Sequence, residues 1–244
     1  MAAKDKIIVA LDVSTESEAH ELVHDLKDYV GAFKVGMELF NSAGPSIIEK
    51  VRDAGADRIF YDSKYHDIPN TVAGAARAAT RMGVWMFNIH AEGGSAMMRA
   101  ASDAAHEEAD RQGVEPPIII AVTLLTSIGQ NTLLNELAVQ MPLSEYVPHL
   151  ARLAQDSGLD GVVASPHEIS AIKAACGNDF LVVTPGVRPS WASANDQKRI
   201  MTPGDAVKNG ADYLVIGRAI TAADDKIGAA KRIIEELEGV SAQG

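Results

Sequence analysis

The sequence predicts one α/β domain, a closed (β/α)8 barrel that spans residues 1–244. Short runs rich in β-branched residues alternate with longer amphipathic stretches, which is typical of βα units. Several of the short runs are almost wholly apolar, as expected for parallel strands that are buried on both faces. Eight such units follow one another without a linker. A chain of about 250 residues suits one barrel of this kind.

The expected strands are short and are distributed along the whole chain. They cover residues 6–11, 32–36, 58–62, 84–89, 118–123, 160–164, 180–184 and 212–216. The expected helices cover residues 15–29, 44–54, 70–82, 94–112, 144–157, 167–175, 204–210 and 224–238. A doubly wound open sheet is the alternative fold. Its glycine-rich turn after the first strand is missing, because that strand runs into "LDVSTE".

The composition argues against several classes of protein. The net charge of −11 argues against nonspecific binding of nucleic acid, which requires a basic surface. The single cysteine, Cys176, cannot form an intrachain disulfide, which fits a reducing compartment. The apolar run "IIVAL" near the N-terminus is too short for a signal peptide or a membrane span. We therefore expect a cytoplasmic protein that binds neither nucleic acid nor membranes.

Two of the expected connections are long and polar. They cover residues 124–143, after the fifth strand, and residues 185–203, after the seventh. In a barrel both would leave the C-terminal face, where enzymes of this fold have their active sites. Long connections in compact domains are often functional, so we expect both to border a site, with ordinary surface loops as the alternative.

Polar residues also occur where the expected strands end. Lys34 lies among apolar and small residues in "AFKVGME", so it either extends to solvent or enters a polar pocket with a carboxylate partner. Asp12 is a candidate site residue, because Ser14 or Thr15 is the better helix N-cap. His90, in "FNIHAEGG", is as compatible with a hydrogen-bonded core histidine as with a catalytic one.

The stretch "IFYDSKYHDIPNT", residues 59–71, places Asp62, Lys64 and Asp67 after a run that is expected to form a buried strand. Residues i and i+2 of a strand share a face, so Asp62 and Lys64 are expected to point the same way. Opposite charges about 4 Å apart gain on the order of 4 kcal/mol at an effective dielectric constant of 20. An alternating row of Lys34, Asp62, Lys64 and Asp67 would therefore stabilise itself and would repel a substrate carboxylate placed at Asp62. This arrangement suits the expulsion of CO2 and protonation of the remaining carbanion, whereas a charged surface ladder is the alternative.

A second signal follows the last two strands. The segments are "VTPGVRP", residues 183–189, and "VIGRAIT", residues 215–221. The loops after strands seven and eight of such barrels frequently bind phosphate through backbone N–H groups and a short helix. Arg188 and Arg218 would add charge and forked hydrogen bonds there.

Together these residues resemble the bacterial-type orotidine 5′-phosphate decarboxylase family over essentially the whole chain. The matching segments are "VALD" (9–12), "FKVGMELF" (33–40), "DSKYHDIPNT" (62–71), "VTLLTS" (122–127), "GLDGVVAS" (158–165), "VTPGVRP" (183–189), "DQKRIMTP" (196–203) and "GADYLVIGRAIT" (210–221). The D-x-K-x-x-D-I-P-N-T pattern is highly specific. Ser63 is one departure, because the family usually has an apolar residue there, and its side chain is expected to face away from Asp62 and Lys64.

The resemblance implies decarboxylation of orotidine 5′-monophosphate to UMP, the last step of UMP synthesis, without a metal or organic cofactor. It also implies a homodimer with active sites at the subunit interface. Lys64 would donate a proton to C6 of the pyrimidine, and Asp62 would lie beside the substrate carboxylate. Lys34 would complete the network and contact the ribose, and Asp67 and Thr71 would come from the neighbouring subunit.

The remaining residues implied by the resemblance are substrate contacts. Asp12 and Thr71 would contact the ribose, Thr126 would read the pyrimidine, Pro185 would line the base pocket, Ile68 would contact the substrate, and Arg188, Gln197, Gly217 and Arg218 would bind the phosphate. Gln197 would also bridge the phosphate and the base.

Two other functions remain open. A sugar-phosphate decarboxylase of the same superfamily carries a similar Asp-x-Lys-x-x-Asp element but uses Mg²⁺ and an enediolate intermediate. The "DIPNT" continuation and Gln197 favour the orotidylate interpretation over it. A catalytically silent barrel that binds a phosphorylated ligand is the other alternative, and the intact row of acids and lysines argues against it.

Overall fold

The structure is a computed structural model that describes residues 1–191 and 201–241. Its parallel strands form a closed barrel in the order of the sequence, and β8 pairs with β1. The strands are β1 Ile7–Ala10, β2 Ala32–Val35, β3 Ile59–Tyr65, β4 Met86–His90, β5 Ile118–Val122, β6 Gly161–Val163, β7 Leu181–Pro185 and β8 Tyr213–Ile216. The predicted (β/α)8 fold class is confirmed.

The helices of the described chain surround this barrel. They are α1 Glu16–Leu26, α2 Met37–Ala43, α3 Ile47–Asp53, α4 Pro69–Arg81, α5 Gly94–Gln112, α6 Gln130–Asn135, α7 Leu143–Asp156, α8 Ile169–Cys176, α9 Pro203–Lys208, α10 Arg218–Thr221 and α11 Lys226–Ser241. Short 3-10 helices cover Ala3–Lys6, Ala91–Gly93 and Pro166–Glu168. Three short helices are absent from the expected ranges: α2 lies before the expected helix 44–54, α6 lies inside the expected loop 124–143, and α10 lies before the expected helix 224–238.

Local sequence signals explain where α1 and α4 begin. The hydroxyl of Thr15 accepts the N–H of Glu18, and the Glu18 carboxylate accepts the N–H of Thr15, which satisfies two unpaired donors at the start of α1. Pro69 is the first residue of α4, where its missing N–H leaves no hydrogen bond unmade. Asp12 is therefore not used as the cap of α1, and its carboxylate is available elsewhere.

Apolar side chains pack in two layers on the barrel strands. Inside the barrel, Ile8, Phe60, Met86, Ile120 and Val183 form one buried cluster. The alternate strand residues pack outward against the helices in a larger cluster. Because both faces of each strand are buried, polar side chains are concentrated at the strand ends, and the carboxyl ends meet at one mouth of the barrel.

Strand β3 is longer than the sequence predicts. It extends to Tyr65, three residues beyond the expected end at residue 62, and its pairing with β4 shifts register between Tyr61 and Tyr65. Such an irregularity bends a strand and redirects its side chains. The extension therefore carries the charged residues of β3 along the rim of the barrel.

Candidate active site

A cavity of about 750 Å³ opens at the carboxyl ends of the strands. Its lining includes nine of the predicted site residues: Asp12, Lys34, Asp62, Lys64, Thr126, Pro185, Arg188, Gly217 and Arg218. Four of these residues belong to β2, β3 and β7, Arg218 begins α10, and the others lie in the loops that follow strands of the barrel. Apolar side chains, among them Val122, Leu124 and Val163, line the cavity between the polar groups.

The cavity wall at β1–β3 carries a continuous row of opposite charges. Asp62 lies at its centre, where Oδ1 is 2.6 Å from Nζ of Lys64 and Oδ2 is 3.2 Å from Nζ of Lys34. Nζ of Lys34 is also 3.1 Å from Oδ1 of Asp12. The side chains of Lys34 and Asp62 are only 10% and 13% exposed, so water screens their attraction weakly.

This environment keeps both partners of the central pair charged. Burial opposes ionisation of Asp62, but the ammonium groups of Lys34 and Lys64 outweigh it and hold the pKa of Asp62 below its usual range. Burial likewise opposes the charge on Lys34, but the carboxylates of Asp62 and Asp12 raise the pKa of Lys34 above its usual range. The row thus keeps a carboxylate and an ammonium group fixed at the cavity wall at neutral pH.

The backbone at the end of β3 has an unusual conformation. Lys64 has a φ of 48°, in the left-handed region that residues with a side chain rarely adopt. Its backbone N–H donates to Oδ1 of Asn88 at 2.7 Å, and the hydroxyl of Ser63 donates to the carbonyl oxygen of Asn88 at 2.7 Å. These bonds to β4 hold the strand end so that the Lys64 side chain turns back to Asp62. Ser63 itself does not line the cavity, which agrees with the expectation that its side chain faces away from Asp62 and Lys64.

The opposite side of the mouth carries two arginines. Arg188 follows β7 and Arg218 begins α10 directly after β8, whereas Asp62 and Lys64 belong to β3 across the barrel. Pro185, Gly186 and Gly217 border the same part of the cavity, so little side-chain volume separates its backbone from a ligand. Positive charge on this side and the charged row on the other suit a ligand with an anionic group remote from its reacting atom.

Three predicted site residues lie outside the cavity in this chain. Asp67, Ile68 and Thr71 are exposed at the β3–α4 junction, and Ile68 retains 66% of its surface. Oδ1 of Asp67 accepts the backbone N–H of Ile68 at 2.6 Å. No ion pair joins Asp67 to a lysine within residues 1–191 and 201–241. A fourth predicted residue, Gln197, lies outside the described residues.

His90, whose role the sequence leaves open, ends β4 beside this site. Its ring stacks on that of His66, with centroids 5.3 Å apart, and its Nδ1 is buried without a hydrogen-bond partner among the described residues. Burial and the nearby His66 and Lys64 lower the pKa of His90. His90 does not line the cavity, so its position does not give it contact with a ligand there.

In the part of the chain that the structure describes, no group of three or more His, Cys, Asp or Glu side chains is placed to hold a metal ion. None of the helices within residues 1–191 and 201–241 combines the length and hydrophobicity that a membrane crossing requires.

The sequence also matches a known family model. The model described as "Orotidine 5'-phosphate decarboxylase / HUMPS family" matches residues 5–233. The chain belongs to this family. The family resemblance predicted from the motifs is thereby confirmed, and the match covers most of the chain, including every predicted site residue.

Curated relatives and a solved structure agree with the family match. Orotidine 5′-phosphate decarboxylase from Moorella thermoacetica is 53% identical over 98% of this chain and 95% of its own length. The enzyme of the same name from Trichlorobacter lovleyi is 55% identical over 96% of each chain. The crystal structure of orotidine 5′-phosphate decarboxylase from Lactobacillus acidophilus superposes with a TM-score of 0.84 at 40% identity, covering 95% of this chain and 98% of that chain.

Sequence reasoning did not single out two residues of the cavity wall. Asn88 is 1% exposed and contacts both Asp62 and Lys64, but it lies inside an apolar strand run without a motif of its own. Trp191 lines the cavity, and the guanidinium of Arg232 lies 4.1 Å from the centre of its ring. One signal in the sequence could have indicated Asn88: it is the single amide in the apolar run "WMFNIH". A polar side chain buried in such a run requires hydrogen-bond partners.

Proposed function

We propose that the chain decarboxylates orotidine 5′-monophosphate to UMP and CO2, with Lys64 as the proton donor and without a metal or organic cofactor. The observation that carries the proposal is the row Asp12–Lys34–Asp62–Lys64 at the wall of the cavity, whose central pair, Lys34 and Asp62, is largely buried. The names of the curated relatives support the same reaction.

The reaction requires one bond to break and one proton to be delivered. The bond between C6 and the carboxylate breaks, CO2 leaves, and the electron pair stays on C6. This pair lies in the ring plane and cannot spread into the π system, so a fixed positive charge beside C6 stabilises it directly. Lys64 then transfers a proton from Nζ to C6, which gives UMP, and solvent returns a proton to the amine.

Asp62 has a different role in this proposal. With its pKa held low, it remains a carboxylate when the substrate carboxylate is placed beside it. Two like charges about 4 Å apart repel by on the order of 4 kcal/mol at an effective dielectric constant of 20. The repulsion disappears when neutral CO2 departs, so it raises the energy of the bound substrate relative to the transition state.

The remaining cavity residues are assigned to substrate binding. Arg188, Gly217 and Arg218 would bind the phosphate, and Asp12 and Lys34 would hold the ribose. Thr126 and Pro185 border the space left for the pyrimidine. Gln197, which lies outside the described residues, is proposed to bridge the phosphate and the base.

The active form is proposed to be a homodimer with shared sites. Asp67 and Thr71 do not reach the cavity of their own chain, and the apolar side chain of Ile68 is 66% exposed beside them. A second copy that places these residues over the cavity would complete the row with Asp67 next to Lys64. Burial of Ile68 in that contact would also remove apolar surface from water.

The position of Lys34 supports the absence of a metal in the mechanism. Its ammonium lies between Asp12 and Asp62, 3.1 Å from one carboxylate and 3.2 Å from the other. A divalent cation binding these two carboxylates would have to displace that ammonium. The Mg²⁺-dependent sugar-phosphate decarboxylation that the sequence leaves open would require such a rearrangement if its cation bound both of these carboxylates. The place in UMP synthesis and the cytoplasmic location stay predictions.

The loss of orotidylate absorbance, followed with and without EDTA, tests the proposal. We expect decarboxylation at the same rate in both conditions, with UMP as the product. Loss of activity in EDTA that Mg²⁺ restores would favour the metal-dependent alternative. No turnover in either condition, with UMP still bound, would favour the silent phosphate-binding barrel.

A further inference from the structure

The side chain of Asn88 joins the two residues to which the proposed function assigns the chemistry. Its Nδ2 donates to Oδ1 of Asp62 at 2.7 Å, and its Oδ1 accepts the backbone N–H of Lys64 at 2.7 Å. Oδ1 of Asp62 is the same atom that accepts the ammonium of Lys64 at 2.6 Å. The amide therefore contacts the acceptor of the ion pair and the backbone of its donor.

The orientation of this amide follows from its two partners. A backbone N–H can only donate, so the amide atom facing Lys64 is the oxygen. A carboxylate can only accept, so the atom facing Asp62 is the nitrogen. Asn88 is 1% exposed, so water cannot replace either bond without opening the strand end. A side chain without an acceptor would remove the bond from the Lys64 N–H, and one without a donor would remove one of the two bonds that Oδ1 of Asp62 accepts.

The backbone of Lys64 needs this support. A residue other than glycine in the left-handed region costs about 1–2 kcal/mol, so the conformation persists only where neighbouring groups hold it. The bond from the Lys64 N–H to the Asn88 side chain and the bond from the Ser63 hydroxyl to the Asn88 backbone carbonyl both hold this irregular end of β3. If the side-chain bond is lost, the Ser63 bond remains alone at the strand end, so β3 can relax and Nζ of Lys64 is no longer held toward Asp62.

We propose that Asn88 is a positioning residue, whose amide fixes the Asp62 carboxylate and the Lys64 backbone in the one arrangement that lets the ammonium reach the reacting carbon. This inference rests on the proposed decarboxylation. Asn88 acts through Asp62 and Lys64 and transfers no proton itself. Its effect is therefore expected in the chemical step and not in binding of the nucleotide phosphate.

The first test is Asn88→Ala in the full-length protein. We expect kcat to fall roughly 10–100-fold, which corresponds to the loss of one hydrogen bond to a charged group. The KM for orotidine 5′-monophosphate and the Kd for UMP should stay within about threefold, because Arg188 and Arg218 are untouched. Thr123→Val is the matched control. It removes a buried 3.1 Å bond to the Val163 carbonyl between neighbouring strand ends, and Thr123 does not line the cavity.

The second variant, Asn88→Asp, separates positioning from packing. It keeps the size of the side chain and the acceptor for the Lys64 N–H, but it replaces the donor to Asp62 with a second carboxylate. A purely structural role predicts that this variant is milder than Asn88→Ala. Our proposal predicts a kcat equal to or lower than that of Asn88→Ala at about pH 8, because two adjacent carboxylates repel.

Lower pH should partly rescue Asn88→Asp. The charged or titratable groups around the new carboxyl group are Asp62 and Lys64 on β3, Lys34 on β2 and His90 on β4, while β5 carries no titratable side chain. Adjacent carboxylates share a proton at higher pH than an isolated one does, and the protonated carboxyl group donates to its neighbour again. The kcat of this variant, divided by that of the wild type, should therefore rise as pH falls from about 8 to about 6.

Wild-type turnover, measured beside the variants, separates the two claims. An active wild type together with unchanged kcat in Asn88→Ala, or with an Asn88→Asp variant that is milder than Asn88→Ala, overturns the positioning role. An inactive wild type overturns the proposed function instead. In that case a crystal structure of Asn88→Ala decides the positioning claim. Retention of the left-handed Lys64 and of its 2.6 Å contact with Asp62 would refute it, and relaxation of β3 would support it.

Discussion

Replacement of Lys34 by methionine should remove both stability and activity, because Lys34 lies between two acids. Its Nζ is 3.2 Å from Asp62, and both side chains are largely buried. At an effective dielectric constant of 20 the attraction across that distance is about 5 kcal/mol, most of which offsets the desolvation of the pair. Removal of one partner of a buried pair costs about 3–5 kcal/mol, so we expect the free energy of unfolding to fall by about that amount at neutral pH.

The pH dependence of this loss has a definite sign. The pKa of Asp62 lies below its ordinary value of 3.8, so the stabilisation from its charge is present above that pH and is lost as pH falls further. The pKa of Lys34 lies above 10.5, so its contribution is present below that pH and is lost at higher pH. The difference between wild type and Lys34→Met should therefore be fully developed between these values. It should shrink in acid, where Asp62 of the variant can take up a proton.

Lys173→Met provides the matched control. Lys173 has the same 10% side-chain exposure and contacts Asp212 at 2.8 Å, but it lies away from the cavity, where it also donates to the carbonyl of Phe180. Urea unfolding should show a comparable loss of stability for both variants. The orotidylate assay should show a loss of kcat/KM of at least tenfold for Lys34→Met alone. A Lys34→Met variant with kcat/KM within about threefold of wild type would refute the assigned role of the row.

Three further predictions address the rest of the site. Lys64→Ala should lose nearly all turnover while it keeps its fold and its affinity for UMP, and decarboxylation within about tenfold of wild type would remove Lys64 from its role. Arg218→Ala should lower kcat as well as affinity, because the energy of binding the remote phosphate orders the site. We expect kcat/KM to fall roughly 10–100-fold, and an unchanged kcat/KM in steady-state kinetics would contradict this. Gly36→Ala would place a Cβ 3.0 Å from Nζ of Lys34. A displacement of that Nζ by about 0.5 Å would weaken each of its ion pairs enough to lower kcat about threefold. Gly129→Ala is the control, because the new Cβ would lie in open space and should leave kcat unchanged.

Much of the site was predictable because its residues occur in fixed local patterns. The D-x-K motif marks Asp62 and Lys64 as candidate partners, and Lys34 stands out as a charge inside an apolar run. The closed barrel then explains why residues from distant parts of the sequence meet, since parallel strands end at one mouth. Asn88 could not be assigned in this way, because one amide in a strand shows neither its partners nor the direction in which it points.

The geometry of β3 is another feature that local reasoning missed. Period-two alternation predicts a common face for Asp62 and Lys64, but the strand is longer than expected and irregular, and the left-handed Lys64 is what directs its ammonium to Asp62. The same limit applies to Asp67, which follows the motif closely in sequence yet makes no ion pair with Lys64 among the described residues.

The sequence by itself determined the order of strands and helices, the burial of the strands and the charged residues at their ends. Periodicity, capping and apolar runs are local properties, so they can be read from neighbouring residues. Only the tertiary structure decided which charges pair, that Lys34 lies between Asp12 and Asp62, and that Asn88 holds the end of β3. The contacts of Lys34 and Asn88 join residues 22 to 28 positions apart, and their distances depend on how adjacent strands are registered in the closed barrel.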